Sequence, residues 1–467
     1  LKLLAFSLRP LLLEELAEIF ILDPEKSPPL DEDDRLFPAK AVLKYLPGLV
    51  TEVAVFCNEI ESVRYEINVT EIRFAHFSIK EYLSSDRMAD SYFSTRDPDA
   101  SHLYIAESCL AYHLHFSETV LVNEKILLQY PLWEYAIKHG LIHLEKVPRG
   151  CWTASTTDRV NRGFTAESQA CLNQIRIYEG TFEGEIFSTP LYYASNMKLL
   201  HLASYLIENE ADVNEVSPGS LFGTALGVAA KRGYENIVKL LLDHHASIDA
   251  NIGDYGTASQ AAAEYGRLEV VQLLLNRGAN VNVQGGYYGS ALQAAAVKGS
   301  LEVVQLLLNS GANVNTEGGE YGSALPAAAA CAHPEVVQLL LGHDANINAE
   351  GGGHGNALQV AALYGHIEVV QLLLDRGANP KAKGGPYGNA LQAAIACDES
   401  NSPGIAKLLL SLDAKVDPPG EEWEKLLEIV AKGYEGFEKS ERLREFQRDP
   451  DGYIERKERE KRGQPWR

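Results

Sequence analysis

No glycine in this 467-residue chain is followed by a lysine. The phosphate-cradling loop G-x-x-x-x-G-K-[ST] is therefore absent, because its lysine must follow the last glycine to reach the phosphates. Paired cysteines are missing too: the six, at 57, 109, 151, 171, 331 and 397, are scattered and form no C-x-x-C. That spacing points away from a zinc ribbon and towards a reducing compartment, in which cysteine serves as a small apolar residue. No run reaches about 18 apolar residues, and no basic segment leads into an apolar one, so neither a spanning helix nor a secretory leader is expected. Positive charge is scarce, with 42 Lys and Arg against 64 Asp and Glu, a net charge of −22. Such a surface repels phosphate backbones and anionic lipid, so neither nucleic acid nor membrane is an expected partner. The first residue is Leu, and the expectation is a piece of a longer protein.

What the chain has in abundance is repetition. Thr224, Thr257, Ser290, Ser323, Asn356 and Asn389 each begin one unit and follow one another at 33 residues; a looser copy begins at Thr189. A typical copy reads GSALQAAAVKGSLEVVQLLLNSGANVN, from Gly289 to Asn315. Ser or Thr ahead of an alanine-rich stretch is a capped helix whose small side chains admit a close neighbour. LEVVQLLL is a second helix, with Leu301, Val304, Leu307 and Leu308 expected on one face. Gly278, Gly311 and Gly377 follow it where a left-handed residue ends a helix, while Glu210, His245, Asp344 and Asp413 fill the same slot less comfortably. One helix pair cannot bury its apolar face alone, so the copies must stack.

These units resemble the ankyrin repeat, whose length and TPLHLAA…GHxEVVxLLLxxGAxVN pattern they match copy by copy from Thr189 to Asp417. The resemblance implies a solenoid that holds a protein or peptide on its concave face. Only the first copy keeps Thr-Pro-Leu, and Gln293, Gln359 and Gln392 replace the motif's histidine, which implies a retained fold with a rewired internal network. The fifth copy, with Pro326, and the seventh, with CDESNSPG, should be the least regular. Tyr255, Tyr288, Tyr321, His354 and Tyr387 recur at one position of the unit, at the base of the hairpin ahead of the first helix. At packed-helix spacing of about 10 Å, five rings make a ladder about 40 Å long. Two readings stand: each ring pads the next hairpin, or the stripe anchors a partner. The adjoining glycines read as tight turns.

Residues 1–88 have another character. RPLLLEELAEIFIL (Arg9 to Leu22) reads as an amphipathic helix, AKAVLKYLPGLV as a second, and LVTEVAVFC and YEINVTEIRFAHFSI as strands joined by an acidic wing. Helix, helix, strand, wing, strand is a winged-helix arrangement. Residues 1–80 carry nine Lys or Arg against fourteen Asp or Glu, which disfavours a DNA reader. RFAHFSIKEYLSSDRM, with FSLRPLLLEELAE and SHLYIAESCLAYHLHF, resembles the winged-helix segment that follows the NACHT module in fungal signalling ATPases of the STAND class, relatives of NOD-like receptors. The resemblance gives His76 the role of touching the phosphates of bound ADP, provided that a nucleotide module precedes this chain; the plain alternative is a core histidine. No cofactor is expected within the chain itself.

Residues 89–187 read as a helical connector and 188–417 as about seven repeats; 418–467 read as a capping helix and a charged tail. No nucleophile, base and orienting group converge, and the adjacent His244 and His245 diverge on a helix, so no catalytic residue, no metal site and no enzyme activity are expected. The expected fold is mainly α, an ankyrin solenoid preceded by a winged helix and a connector. The expected role is the intracellular sensor and protein-interaction part of a fungal STAND protein; the alternative is a free-standing ankyrin adaptor without nucleotide control.

Overall fold

The computed structural model describes residues 2–26, 29, 39–46, 50–57, 67–74, 97–117, 121–165, 168–179, 188–349, 352–396 and 402–412. His76, Cys397, Asp413, the wing between the strands, the KEYLSSD segment, the expected capping helix and the tail lie outside them. The chain divides into two compact units, residues 1–218 and the remainder from Gly219. The first repeat copy, from Thr189, belongs to the front unit.

The front unit begins with a helix at Lys2–Phe6 and a two-residue strand β1 (Leu11–Leu12), followed by a helix at Leu13–Ile19 and a 3-10 helix at Ala39–Tyr45. β2 (Val50–Cys57) and β3 (Ile67–Phe74) complete an antiparallel sheet in the order β1-β3-β2. Two expectations change. The first amphipathic helix starts at Leu13 because Leu11 and Leu12 pair with Ile72 and Glu71 of β3. The second is a 3-10 turn that buries only Val42.

A long helix, Pro98–Ser117, is buried on most of its sides rather than along one stripe. The Pro131–Glu145 helix crosses it and runs unbroken through Gly140. A side chain there would meet the Cys109 Cβ at 2.7 Å, so the glycine sets how closely the two helices approach. The segment from Pro148 to Ser168 reads as a loop-rich break in sequence but carries a helix at Ala154–Phe164, capped by Thr153 and seated on Val160 and Phe164. Burial of those two side chains supplies what the polar sequence hides. The front packs on these helices through charge as well as oil. The buried Glu18 carboxylate accepts from the Tyr112 hydroxyl at 2.5 Å and the Leu132 N–H at 3.0 Å. The first repeat copy is held in the same way, with Glu145 accepting from the His201 N–H at 2.9 Å and Arg149 donating to Glu208.

Histidines are used here as neutral core groups. The Trp133 indole N–H donates to His113 Nδ1 at 3.0 Å, and Nε2 faces the Ala170 carbonyl at 3.0 Å. His113 must therefore carry its proton on Nε2, and a second proton would confront the indole N–H. His143 shares a proton with His102 across 2.8 Å and faces the Tyr135 hydroxyl at 3.1 Å. Burial holds His113 down at about 4, and burial with the neighbouring His102 and Lys146 holds His143 at about 3.

Among the described residues of the unit from Gly219, six helix pairs repeat the same plan, beginning with Ala225–Arg232 and Glu235–Asp243 and ending with Ala390–Ala396 and Ser402–Ser411. First helices pack on first helices through alanines that are wholly buried, such as Ala262, Ala295, Ala328 and Ala361. The buried face of the second helix is Val303, Val304 and Leu307; Leu301, in its opening turn, is 40% exposed and does not join them. The left-handed ends fall where expected, with φ near 90° at Gly278, Gly311 and Gly377, and φ of 69°, 66° and 63° at Glu210, His245 and Asp344.

The histidines give the front unit a pH signature. Unfolded, each binds a proton below about pH 6.5; folded, each resists until about pH 4 or 3. At these two sites the unfolded state thus takes up more protons through that window, so the stability they contribute is complete above pH 6.5 and is lost as pH falls. The expected loss is about 2 kcal/mol per histidine at pH 5. Urea titrations followed by Trp133 fluorescence, with the other tryptophans replaced by Phe, measure it; a midpoint unchanged from pH 7 to 5 contradicts it.

Candidate functional site

The string between copies, GG-x-Y-G, is explained by what lies beside it. Each hairpin closes on itself, Gly285 N–H to Gly289 carbonyl at 2.9 Å and Gly318 to Gly322 at 2.8 Å. Each also bonds its predecessor through the backbone: Tyr255 to Leu221 at 3.2 Å, Tyr287 to Asp254 at 2.7 Å, Glu320 to Tyr287 at 3.0 Å. The second glycine of the pair makes that approach possible. Gly286 has φ 62°, and a side chain there would meet the Gly256 nitrogen at 2.7 Å.

The glutamine that replaces the motif histidine ties the hairpins to the helices. Gln260 Oε1 accepts from the Thr257 N–H at 2.6 Å, and its Nε2 donates to the carbonyls of Gly285 at 3.0 Å and Gly289 at 3.3 Å. Gln293 donates to Gly318 at 2.8 Å and Gly322 at 3.1 Å, and Gln359 to Gly384 at 3.1 Å and Gly388 at 3.3 Å. The glycine that follows each tyrosine leaves room for this carboxamide, since a side chain on Gly289 would overlap Gln293 Oε1. Pro326 holds the same position in the fifth copy and has no N–H to offer. Ser323 accordingly lacks the cap bond that Thr224, Thr257, Ser290 and Asn356 make. On the outer edge a second ladder runs through asparagines: the Asn313 N–H donates to Asn282 Oδ1 at 2.8 Å, and Asn346 to Asn315 at 2.8 Å.

The rings sit on this frame closer together than helix spacing implies. Tyr255 stacks on Phe222 with centroids 4.7 Å apart and planes 7° from parallel, and Tyr255 lies 6.1 Å from Tyr288. Tyr321 and His354 are 5.9 Å apart. The Tyr288 hydroxyl donates to Glu264 at 3.1 Å, and His354 Nε2 lies 3.4 Å from Glu320. Burial raises the Tyr288 phenol, and burial followed by Cys331 pushes Tyr321 up to about 12, so both stay neutral donors. Tyr255, Tyr288, Tyr321 and His354 are half-buried, whereas Tyr387 is 37% exposed. Sequence reading missed Phe222, although it stands 33 residues before Tyr255, and the exposed Tyr287 and Tyr364. His333 and His366 face the Val297 and Ala330 carbonyls of the preceding copies at 3.0 and 2.9 Å. Among the described residues, no group of three or more His, Cys, Asp or Glu could hold a metal ion, and no helix is long and apolar enough to cross a membrane.

Family models place the repeats. The model described as Ankyrin repeats (3 copies) matches residues 191–285, 226–318, 262–351 and 325–419. This half of the chain is an ankyrin-repeat domain. The chain is 31% identical over 270 residues to the azaphilone pigments biosynthesis cluster protein L of Monascus ruber, covering 53% of this chain and 55% of that protein. It is 52% identical over 60 residues to the putative E3 ubiquitin-protein ligase XBAT35 of Arabidopsis thaliana, 13% of each chain. It thus spans about half of the first relative's length and a small part of the second's. The human ASB11 ankyrin repeat domain is similar at 26% identity and a TM-score of 0.41, over 50% of this chain and all of that one.

The glutamine bridge sets two expectations for the ankyrin stack. Gln293→Leu should cost about 1–3 kcal/mol, because it strands buried carbonyls. Pro326→Gln should gain about 1 kcal/mol, because it restores the N–H that Ser323 can cap and an amide in register with the Gly355 carbonyl. Equilibrium urea unfolding reads both; a Pro326→Gln variant no more stable than the parent contradicts the bridge.

Proposed function

We propose that the ankyrin repeats are a scaffold for a protein partner, held on the face built from hairpins and first helices. The observation that carries this is the ring stripe. A row of tied hairpins presents aromatic side chains along one edge, and tyrosine favours interface centres because its ring is large, stiff and amphipathic. From Thr189 to Asp417 there are 12 Lys or Arg against 22 Asp or Glu, so a neutral or basic protein surface fits this face better than nucleic acid. Tyr255 and Tyr288 hold the hairpins in place, and the more exposed rings, Tyr387 and Tyr287, lead the contact with the partner.

The front unit we assign to the winged-helix and connector region of a fungal STAND-type signalling protein. Its element order and the β1-β3-β2 sheet support that reading, as does the RFAHFSIKEYLSSDRM string. On this reading His76 answers to a nucleotide module outside this chain, and the protein works inside the cell. An adaptor without nucleotide control is the alternative. Basal nucleotide exchange in a longer protein, raised by His76→Ala, separates the two; unchanged exchange leaves the adaptor.

A photo-reactive benzoylphenylalanine at Tyr387 should crosslink a protein partner in cells, while the same group at Glu368, exposed on the second helix of its copy, should not. Equal yields at both positions overturn the assigned face. For the chain alone, calorimetry with ADP or ATP should give no binding heat, because the phosphate loop is absent; micromolar binding contradicts this.

A further inference from the structure

One lysine of this chain already shows what the aromatic stripe can hold. The Lys231 ammonium sits 4.2 Å from the centroid of Phe222 and 5.0 Å from that of Tyr265. Those two rings meet edge to face at 6.1 Å, and Tyr255 stacks behind Phe222. A cation over two ring faces is bound by their quadrupoles, and Glu264 adds an opposite charge to the set.

Three copies further on, 99 residues later in register, the walls of this arrangement return. Tyr321 stands for Phe222, His354 for Tyr255 and Tyr364 for Tyr265. Their rings touch in a different order, Tyr321 to His354 at 5.9 Å and His354 to Tyr364 at 6.1 Å, the second edge to face, so that His354 takes the place against Tyr364 that Phe222 takes against Tyr265. A carboxylate is present too: Glu320 lies 3.4 Å from His354, with its side chain 39% exposed. The cations are what changed. Lys231 and Arg232, at the end of the first helix, become Ala330 and Cys331. Ala330 is 7% exposed, Cys331 is half-buried, and Tyr364 is 39% exposed.

We propose that Tyr321, His354, Tyr364 and Glu320 form a seat for a cationic side chain, a lysine or arginine supplied by the protein partner in place of the lysine that the chain supplies to itself at 231. The seat rests on the reading of this stripe as the partner face and narrows it: the partner reaches it through a basic residue on an extended segment. Charge favours that occupant, since the chain carries a net −22 and the seat has its own carboxylate. The internal pair at Lys231 serves as the built-in control. A lysine at position 330 has the register of Lys231 and aromatic residues at the matching wall positions, so it should occupy the seat from within.

The test is ¹⁹F NMR of the whole chain labelled with 3-fluorotyrosine, the Tyr321 and Tyr364 signals being assigned by Tyr→Phe variants. The probe is the pentapeptide Gly-Gly-Arg-Gly-Gly, blocked at both ends, with its citrulline twin as the neutral control. Both signals should move saturably with the arginine peptide and stay still with citrulline. In Ala330→Lys the response should vanish. Tyr364→Leu, at an exposed position, keeps the test open should the lysine variant fail to fold, and should weaken binding about two- to five-fold, the size of one exposed cation–aromatic contact. A response to citrulline equal to that of arginine overturns the proposal, as does an arginine response unchanged in a folded Ala330→Lys or in Tyr364→Leu, or no response at all. Crosslinking at Tyr387 is read separately, so the partner face can stand when the seat fails, and the seat can stand when the face is wrong.

Discussion

The glutamine at the third position of a first helix ties copy to copy. In Gln260, Gln293 and Gln359 the carboxamide nitrogen reaches the carbonyls of the next hairpin, and in Gln260 and Gln359 the oxygen takes the N–H of its own cap residue. A buried amide has few ways to satisfy both ends, and here one geometry does so. That geometry fixes how far apart successive copies stand. The glycine after the tyrosine, the left-handed glycine pair and the backbone bonds between hairpins all serve that spacing. The aromatic stripe follows from it, because rings carried on hairpins tied at a fixed spacing must fall in line.

The solenoid was legible from the sequence because it is built by local rules. A 33-residue period, cap residues and alanine runs say where helices begin and that they pack closely. The glutamine network was foreseen in kind, though Gln260 was not singled out beside Gln293 and Gln359. What escaped notice were contacts whose partners lie a full copy away on changing residue types. The Lys231 cation between Phe222 and Tyr265 is one, and the asparagine ladder on the outer edge is another. The face of the second helix was misjudged by one step, since helical spacing alone does not tell Val303 from Leu301 when every candidate is apolar.

The front unit was harder to read because polar groups do much of its joining. Glu18, Glu145, His113 and His143 are charged or chargeable in a sequence, and a pattern of apolar residues passes over them. Each has a partner far off in the chain, such as His102 for His143, which periodicity cannot register. Leu11 and Leu12 leave their helix for the same reason: pairing with β3, sixty residues on, outweighs the local preference. Such buried polar networks hold one arrangement tightly when every member is satisfied, and they fail together when one is protonated.

The central claim is that the hairpins are part of the folded stack rather than loops hung on it. Native-state hydrogen exchange at the Tyr287 and Glu320 amides, which donate to the preceding hairpins, tests this most directly. The account predicts that they exchange only with opening of the stack, as slowly as amides in the Ala291–Lys298 helix. Exchange at the rate of an open loop, while that helix stays protected, would contradict it.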